Sequence, residues 1–260
     1  MTDTILITGA SDGIGAVYAD RLARRGNNLI LVARRAEKLA DLARRLEAET
    51  GVTVEVLAAD LGKADDLARI EARLRDDASI TGLVNNAGIA GEGGILELDP
   101  TYVTDLVNLN VLAVTRLSAA IAPRLAERGS GTIVNLTSVT ALMPEGFATV
   151  YPASKAFVLA FTEALHAQLG PKGVRVQAVL PGITRTPIWP DEMLKAFPAE
   201  MVMEVGDMVD AALVGLDLGE TITIPALPDN AQLDAYLAAR TALRPGLSLA
   251  NPAERYRAVA

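Results

Sequence analysis

Short, almost wholly apolar runs alternate along this chain with longer helical patterns, and the first run ends in a glycine-rich turn. The runs are 4–8, 28–33, 53–58, 82–85, 132–137, 174–180 and 220–226. They do not alternate apolar with polar residues, so both faces of each strand must be covered. Helical patterns lie between them at 14–25, 36–50, 64–77, 101–128 and 151–170. Gly26, Gly51, Gly129 and Gly170 stand where helix C-terminal glycines belong. Strand–helix alternation implies βαβ units and a parallel sheet. The glycine-rich turn after the first strand makes that sheet open and doubly wound. The expected fold class is therefore α/β: one Rossmann-fold domain over 1–260, with a seven-stranded parallel sheet flanked by helices.

The turn contains Gly9, Ser11, Asp12, Gly13, Ile14 and Gly15, directly after a strand and opening a helix. Glycines permit a sharp turn and close approach of a ligand, and the helix start offers free N–H groups to a pyrophosphate. The spacing is GxxxGxG rather than the general GxGxxG dinucleotide fingerprint. The same residues also spell GxSxG, the nucleophile elbow of serine hydrolases, which needs a downstream histidine. His166 is the sole histidine, and it falls inside a helical pattern. At the end of the second strand stand Arg34 and Arg35, where an unphosphorylated ribose is usually met by a carboxylate. Two guanidiniums there suit a 2′-phosphate, which favours NADP(H), with NAD(H) as the alternative. Asp12 works against this, because a nearby carboxylate would repel that phosphate.

Tyr151 and Lys155 are four residues apart, on one face of a helix that follows a strand ending near Ser138. Hydride transfer to a carbonyl also moves a proton at its oxygen. A free phenol ionises near pH 10, so reaching neutrality requires about 3 units, or roughly 4 kcal/mol. An adjacent ammonium and a cationic nicotinamide ring are expected to supply that lowering. Ser138 is placed to hydrogen-bond the substrate oxygen.

These residues, with Thr8, the Asp60–Leu61 pair, Asn85, Asn86, Ala87, Gly88, Asn110, Pro181 and Gly182, occur in an order that resembles the classical, NADP-preferring short-chain dehydrogenase/reductase family over residues 4–186. The resemblance implies Tyr151 as acid/base and Lys155 as the group that lowers its pKa and bonds the nicotinamide ribose. It implies Ser138 as the residue that orients the carbonyl, and Asn110 as holder of a water relaying protons from Lys155. Asp60 and Leu61 would lie at the adenine, and Asn86, Ala87 and Gly88 would line the cofactor. Pro181, Gly182, Thr184 and Thr186 would close over the nicotinamide. A catalytically idle nucleotide-binding regulator of the same fold is the alternative function.

Trp189, Met193, Phe197, Met201 and Met203 dot a segment bounded by Pro187, Pro190 and Pro198. This reads as core packing or as a substrate lid over 187–205, with Trp189 and Met193 as candidate contacts for an apolar carbonyl compound. A C-terminal extension over 228–260 contains a helix starting near Gln232. The last run lacks the glycine-rich ending of tetrameric relatives. Apolar surface on the helices at 101–128 and 151–170 still suggests a homo-oligomer, dimer or tetramer.

The chain has 32 acidic against 24 basic residues, a net charge of −8, which argues against nucleic acid as partner. With no cysteine and one histidine, thiol chemistry, disulfides and Cys- or His-clustered metal sites are excluded. No uncharged apolar run reaches the roughly 18 residues of a membrane span, and residues 1–8 lack a signal-peptide layout. The expectation is a soluble cytoplasmic enzyme with a small-molecule carbonyl or alcohol substrate, no metal and no membrane partner.

Overall fold

The computed structural model describes residues 3–90, 95–146, 150–187, 189 and 191–257. The chain divides into two compact units, 1–225 and 226–260. In the first unit, β1 (Thr4–Thr8), β2 (Asn28–Ala33), β3 (Val54–Ala58), β4 (Ile80–Asn85), β5 (Gly131–Leu136) and β6 (Val174–Val179) alternate with α1 (Gly13–Arg24), α2 (Ala36–Thr50), α3 (Ala64–Asp76), α4 (Pro100–Val107), α5 (Val114–Arg128) and α6 (Val150–Leu169). There follow β7 (Thr184–Arg185), α7 (Asp191–Leu194), β8 (Met203–Glu204), α8 (Val205–Asp217) and β9 (Ile222–Thr223). The second unit holds α9 (Ala231–Ala242) and two short 3-10 turns.

Seven strands form one parallel sheet in the order β3-β2-β1-β4-β5-β6-β9. The chain winds outward from β1 to β3, then returns to place β4 on the other side of β1. Ligands of such sheets bind at that reversal, outside the carboxyl ends of the strands. Neighbouring residues of each strand serve opposite layers. Ile7 packs with Tyr18, Leu39, Leu46 and Leu213 on one face. Leu6 packs with Leu67, Ile70, Leu117, Ile121 and Leu125 on the other. Two covered faces are why these strands carry so few polar residues.

Four differences from the sequence-based expectation have physical causes. First, α8 was not anticipated. Its two glycines, Gly206 and Gly215, cost about 1 kcal/mol each in helix propensity. Burial of Met208, Val209, Leu213 and Leu216 outweighs that, at roughly 1.5–3 kcal/mol per large side chain. Second, the helical stretch at 101–128 is three segments: α4, a π-helical turn at Asn108–Ala113, and α5. Third, the last strand shrinks from 220–226 to two residues, because Pro225 has no N–H for a ladder. Fourth, Gly173, at φ 81°, supplies the left-handed turn expected of Gly170.

The continuous helical stretch Pro100–Arg128 is long and apolar enough, by length and composition, to cross a membrane. Here it lies against α3, β4 and β5, with Leu106, Leu117, Ile121 and Leu125 buried.

Candidate active site

The carboxyl ends of β1 and β4 are stitched together beneath the glycine-rich turn. Thr8 Oγ1 accepts from the amides of Asn86 (2.9 Å) and Ala87 (3.0 Å). Asn86 Nδ2 donates to the carbonyls of Thr8 (3.0 Å) and Gly9 (3.2 Å). A Cβ on Gly15 would lie 2.4 Å from the Gly9 carbonyl oxygen, so Gly15 is required by the turn's own closure. Gly13 differs. It adopts φ 52°, and its missing Cβ would point toward the Thr186 side chain at 3.4 Å. That leaves a cradle between the turn and the 181–187 segment which a side chain would fill. The α1 amides of Ile14 and Gly15 have no intrahelical carbonyl to bond, so the cradle pairs a positive helix end with bare backbone. These residues fit a dinucleotide pyrophosphate.

Beyond β2, Arg34 is exposed and Arg35 donates to Ser11 Oγ through Nη2 (2.9 Å) and Nε (3.2 Å). Asp12 caps α1, its Oδ1 accepting from the Gly13 amide at 2.9 Å. Its Oδ2 is held by Lys38 Nζ at 2.8 Å and lies 3.4 Å from Arg35 Nη1. Partial burial alone would raise the Asp12 pKa. The Lys38 hydrogen bond, the Gly13 amide and the Lys38 and Arg35 charges outweigh it and hold the carboxyl below its usual range. Asp12 is thus an ion-paired carboxylate rather than the bare repulsive charge expected from sequence. Lys38 was missed there; the one signal was its position a helical turn after Arg35. Ser11 therefore hydrogen-bonds a guanidinium. The hydrolase alternative needs His166 on the elbow serine, but Ser11 Oγ is bonded by Arg35, and His166 Nδ1 is buried on α6 without a hydrogen-bond partner among the described residues.

Asp60 and Leu61 are placed differently from one another. Asp60 Oδ1 accepts from the Gly62 amide (3.1 Å), and its own amide donates to Asp66 Oδ2 (2.8 Å), fixing the β3–α3 turn at the sheet's carboxyl edge. The Leu61 side chain is buried in the core with Leu67 and Ile70 of α3.

Ser138 follows β5, and its Oγ accepts from the Thr140 amide at 3.2 Å. Tyr151 sits in the first turn of α6, where the missing N–H of Pro152 costs no intrahelical bond. Lys155 is one turn further, buried, with Nζ donating to the Leu136 carbonyl at 3.0 Å and lying 5.6 Å from the Tyr151 ring centroid. The Thr137 hydroxyl anchors the Lys155 carbonyl at 2.8 Å. A buried chain from Asn85 to Asn135 (2.9 Å) to Thr162 (2.9 Å) ties β4 and β5 to α6 beneath the site. Gly88 lies in the same cluster: a Cβ on it would fall 3.1 Å from Asn110 Oδ1 and 3.6 Å from Lys155 Nζ. Asn110 Oδ1 accepts from the Ile89 amide, and its Nδ2 donates to the Ile89 carbonyl, each at 2.9 Å. Nδ2 also reaches Ser154 Oγ at 3.3 Å. The Asn110 side chain is therefore committed to holding the β4 loop. A relay water at this residue would have to use its backbone, in the widened π-helical turn.

In the protein alone the shift at the phenol is upward. Burial pushes the Tyr151 phenol above its usual value. Its hydrogen bond with Ser138 lowers the pKa, the nearby Tyr102 raises it, and burial wins. Burial lowers the Lys155 pKa to about 8, which leaves it mostly charged at neutral pH, and its Nζ donates to the Leu136 carbonyl. Tyr102, whose hydroxyl donates to the Ala90 carbonyl, was not anticipated at the site.

Pro181 accepts from the Val139 amide (3.0 Å), and Thr184 Oγ1 donates to the Gly182 carbonyl (3.1 Å). These bonds carry the segment from Ser138 toward Thr186, which faces Gly13. Trp189 is half-buried just beyond, bonding the Thr186 carbonyl through its amide at 3.1 Å. Met193 is exposed on α7. Ile188 and Pro190, within the expected lid, lie outside the described residues.

A phenol beside a buried lysine at the carboxyl edge of the sheet, with a glycine-rich turn suited to a dinucleotide, is what an oxidoreductase of the doubly wound class requires. Comparison with known proteins agrees: the short chain dehydrogenase profile matches residues 3–195, and the chain belongs to that family. Among solved structures, a short-chain dehydrogenase from Sphingobium yanoikuyae in complex with NADPH is 49% identical, with a TM-score of 0.93, covering 98% of this chain and all of that one. The bulky-bulky ketone specific alcohol dehydrogenase from Comamonas testosteroni is 47% identical, with a TM-score of 0.91 and 98% coverage of both chains. The very-long-chain 3-oxoacyl-CoA reductase of Anas platyrhynchos is 38% identical over 182 residues, 68% of this chain. The match spans 58% of that reductase's length.

Proposed function

We propose that this chain is an NADP(H)-dependent reductase of bulky, apolar ketones. The observation that carries the reading is the placement of the side chains: the Tyr151 phenol is hydrogen-bonded to Ser138 and lies one helical turn from the buried Lys155, whose Nζ is 5.6 Å from its ring centroid. A phenol that is not pushed below its usual range keeps its proton at neutral pH, as the acid in carbonyl reduction must. A nicotinamide cofactor held by the glycine-rich turn and the 181–187 segment would supply the hydride for the carbonyl carbon. Tyr151 gives its proton to the carbonyl oxygen, so one hydride and one proton make the alcohol. Ser138, already bonded to the phenol, orients that oxygen. Lys155 keeps a positive charge beside the ring that becomes anionic.

Arg34, Arg35 and Lys38 support NADPH over NADH, as does the NADPH complex of the Sphingobium neighbour. The Comamonas neighbour supports a bulky ketone, in keeping with the half-buried Trp189, whose amide bonds the Thr186 carbonyl. A homo-oligomer fits the exposed Val107, Leu112 and Phe157 on the helices at 100–128 and 150–169.

Nicotinamide absorbance, followed with a panel of bulky aryl ketones, tests the reading. NADPH should exceed NADH in kcat/KM by about tenfold or more, consistent with one or two charge-assisted bonds to phosphate. Replacing Arg34 and Arg35 together with alanine should lower NADPH efficiency while leaving NADH nearly unchanged. An unaltered preference in that double variant overturns the assignment, and a lack of ketone turnover overturns the function.

A further inference from the structure

Asp12 puts a fixed negative charge beside the cations assigned to a phosphate ligand. Its Oδ2 takes the Lys38 ammonium at 2.8 Å and lies 3.4 Å from the Arg35 guanidinium. Arg35 is further steadied by Ser11 Oγ at 2.9 Å. These are the donors a 2′-phosphate would need, gathered on a carboxylate that accepts from the same directions.

We propose that Asp12 is a built-in competitor for the 2′-phosphate, and that Lys38 is a specificity-determining cation. This rests on the NADP(H) reading above. Binding is then an exchange of anions. The dianionic phosphate draws Lys38 and Arg35 from the carboxylate, whereas the 2′-hydroxyl of the unphosphorylated cofactor cannot. Asp12 thereby holds the two cations ready, limits how tightly the phosphorylated cofactor is kept, and moderates the preference for it over the unphosphorylated one. The pairs are more than a third exposed on the cation side, so each is a modest interaction.

The test is calorimetric binding of adenosine 2′,5′-bisphosphate and of adenosine 5′-monophosphate, which needs no turnover. Wild type, Asp12→Asn and Lys38→Met are compared at low ionic strength. Asparagine retains the oxygen that caps Gly13, so the variant removes charge without removing the cap. In Asp12→Asn the preference for the bisphosphate should rise about three- to ten-fold, and in Lys38→Met it should fall by a similar factor. A preference that is unchanged or lower in Asp12→Asn overturns the competition. An unchanged preference in Lys38→Met overturns the role of that lysine. If wild type binds the two nucleotides alike, the NADP(H) reading itself has failed, and the proposal with it.

Discussion

Tyr151→Phe should lower ketone turnover by on the order of 10³-fold, while the dissociation constant for NADPH stays within about twofold. The substitution deletes one oxygen from a ring that remains packed in the first turn of α6. The Gly13 cradle, the Asp12 cluster and the Lys155 bond to Leu136 make no use of that oxygen. Transition-state stabilisation is lost and ground-state cofactor binding is not, so kcat carries the effect. Stopped-flow turnover together with fluorescence titration of NADPH separates the two. Near-normal turnover in the variant would remove the acid role from Tyr151.

Lys155→Met should have two opposed effects: turnover falls by about 10²-fold or more, while the protein becomes more stable near neutral pH. The stability effect follows from the buried ammonium, whose pKa drops from 10.5 to about 8. Below about pH 8 both folded and unfolded chains bear the proton, and the folded one carries the full cost of a charge removed from water. Between about 8 and 10.5 only the unfolded chain binds it, so wild-type stability rises with pH and the cost disappears. The shift corresponds to roughly 3 kcal/mol, from which about 1 kcal/mol is subtracted for the lost bond to the Leu136 carbonyl. A net gain on the order of 2 kcal/mol is expected at pH 7, shrinking to nothing or reversing by pH 10.5. Denaturant unfolding at those two pH values checks this. A variant less stable than wild type at pH 7 would show that the lysine charge stabilises the fold.

Much of this arrangement was legible in the sequence, for reasons that differ from element to element. Strands buried on both faces advertise themselves as β-branched runs, so β1, β2 and α2 fall where the pattern puts them. Gly9, Gly13 and Gly15 are visible because only glycine tolerates the positive φ or the contacts found there. Tyr151 and Lys155 are a local pair, one helical turn apart. What escaped detection depends on distant partners. The two-residue strands β7 and β8 exist only because Thr184 and Met203 meet. The π-helical turn around Asn110 has no periodic signal in so short a segment. The role of Lys38 depends on Asp12, 26 residues earlier. The direction of the Tyr151 shift depends on burial and on Tyr102, 49 residues before it in the chain, which no local spacing reveals.

The central claim concerns one proton, and its most direct test is titration of the Tyr151 phenol by NMR of ring-labelled tyrosine, with Tyr151→Phe assigning the signal. In the protein alone the phenol should ionise above pH 10, and saturation with NADP+ should move that ionisation to lower pH. A phenol already ionised near neutrality in the protein alone, or one that NADP+ leaves unmoved, would contradict the account.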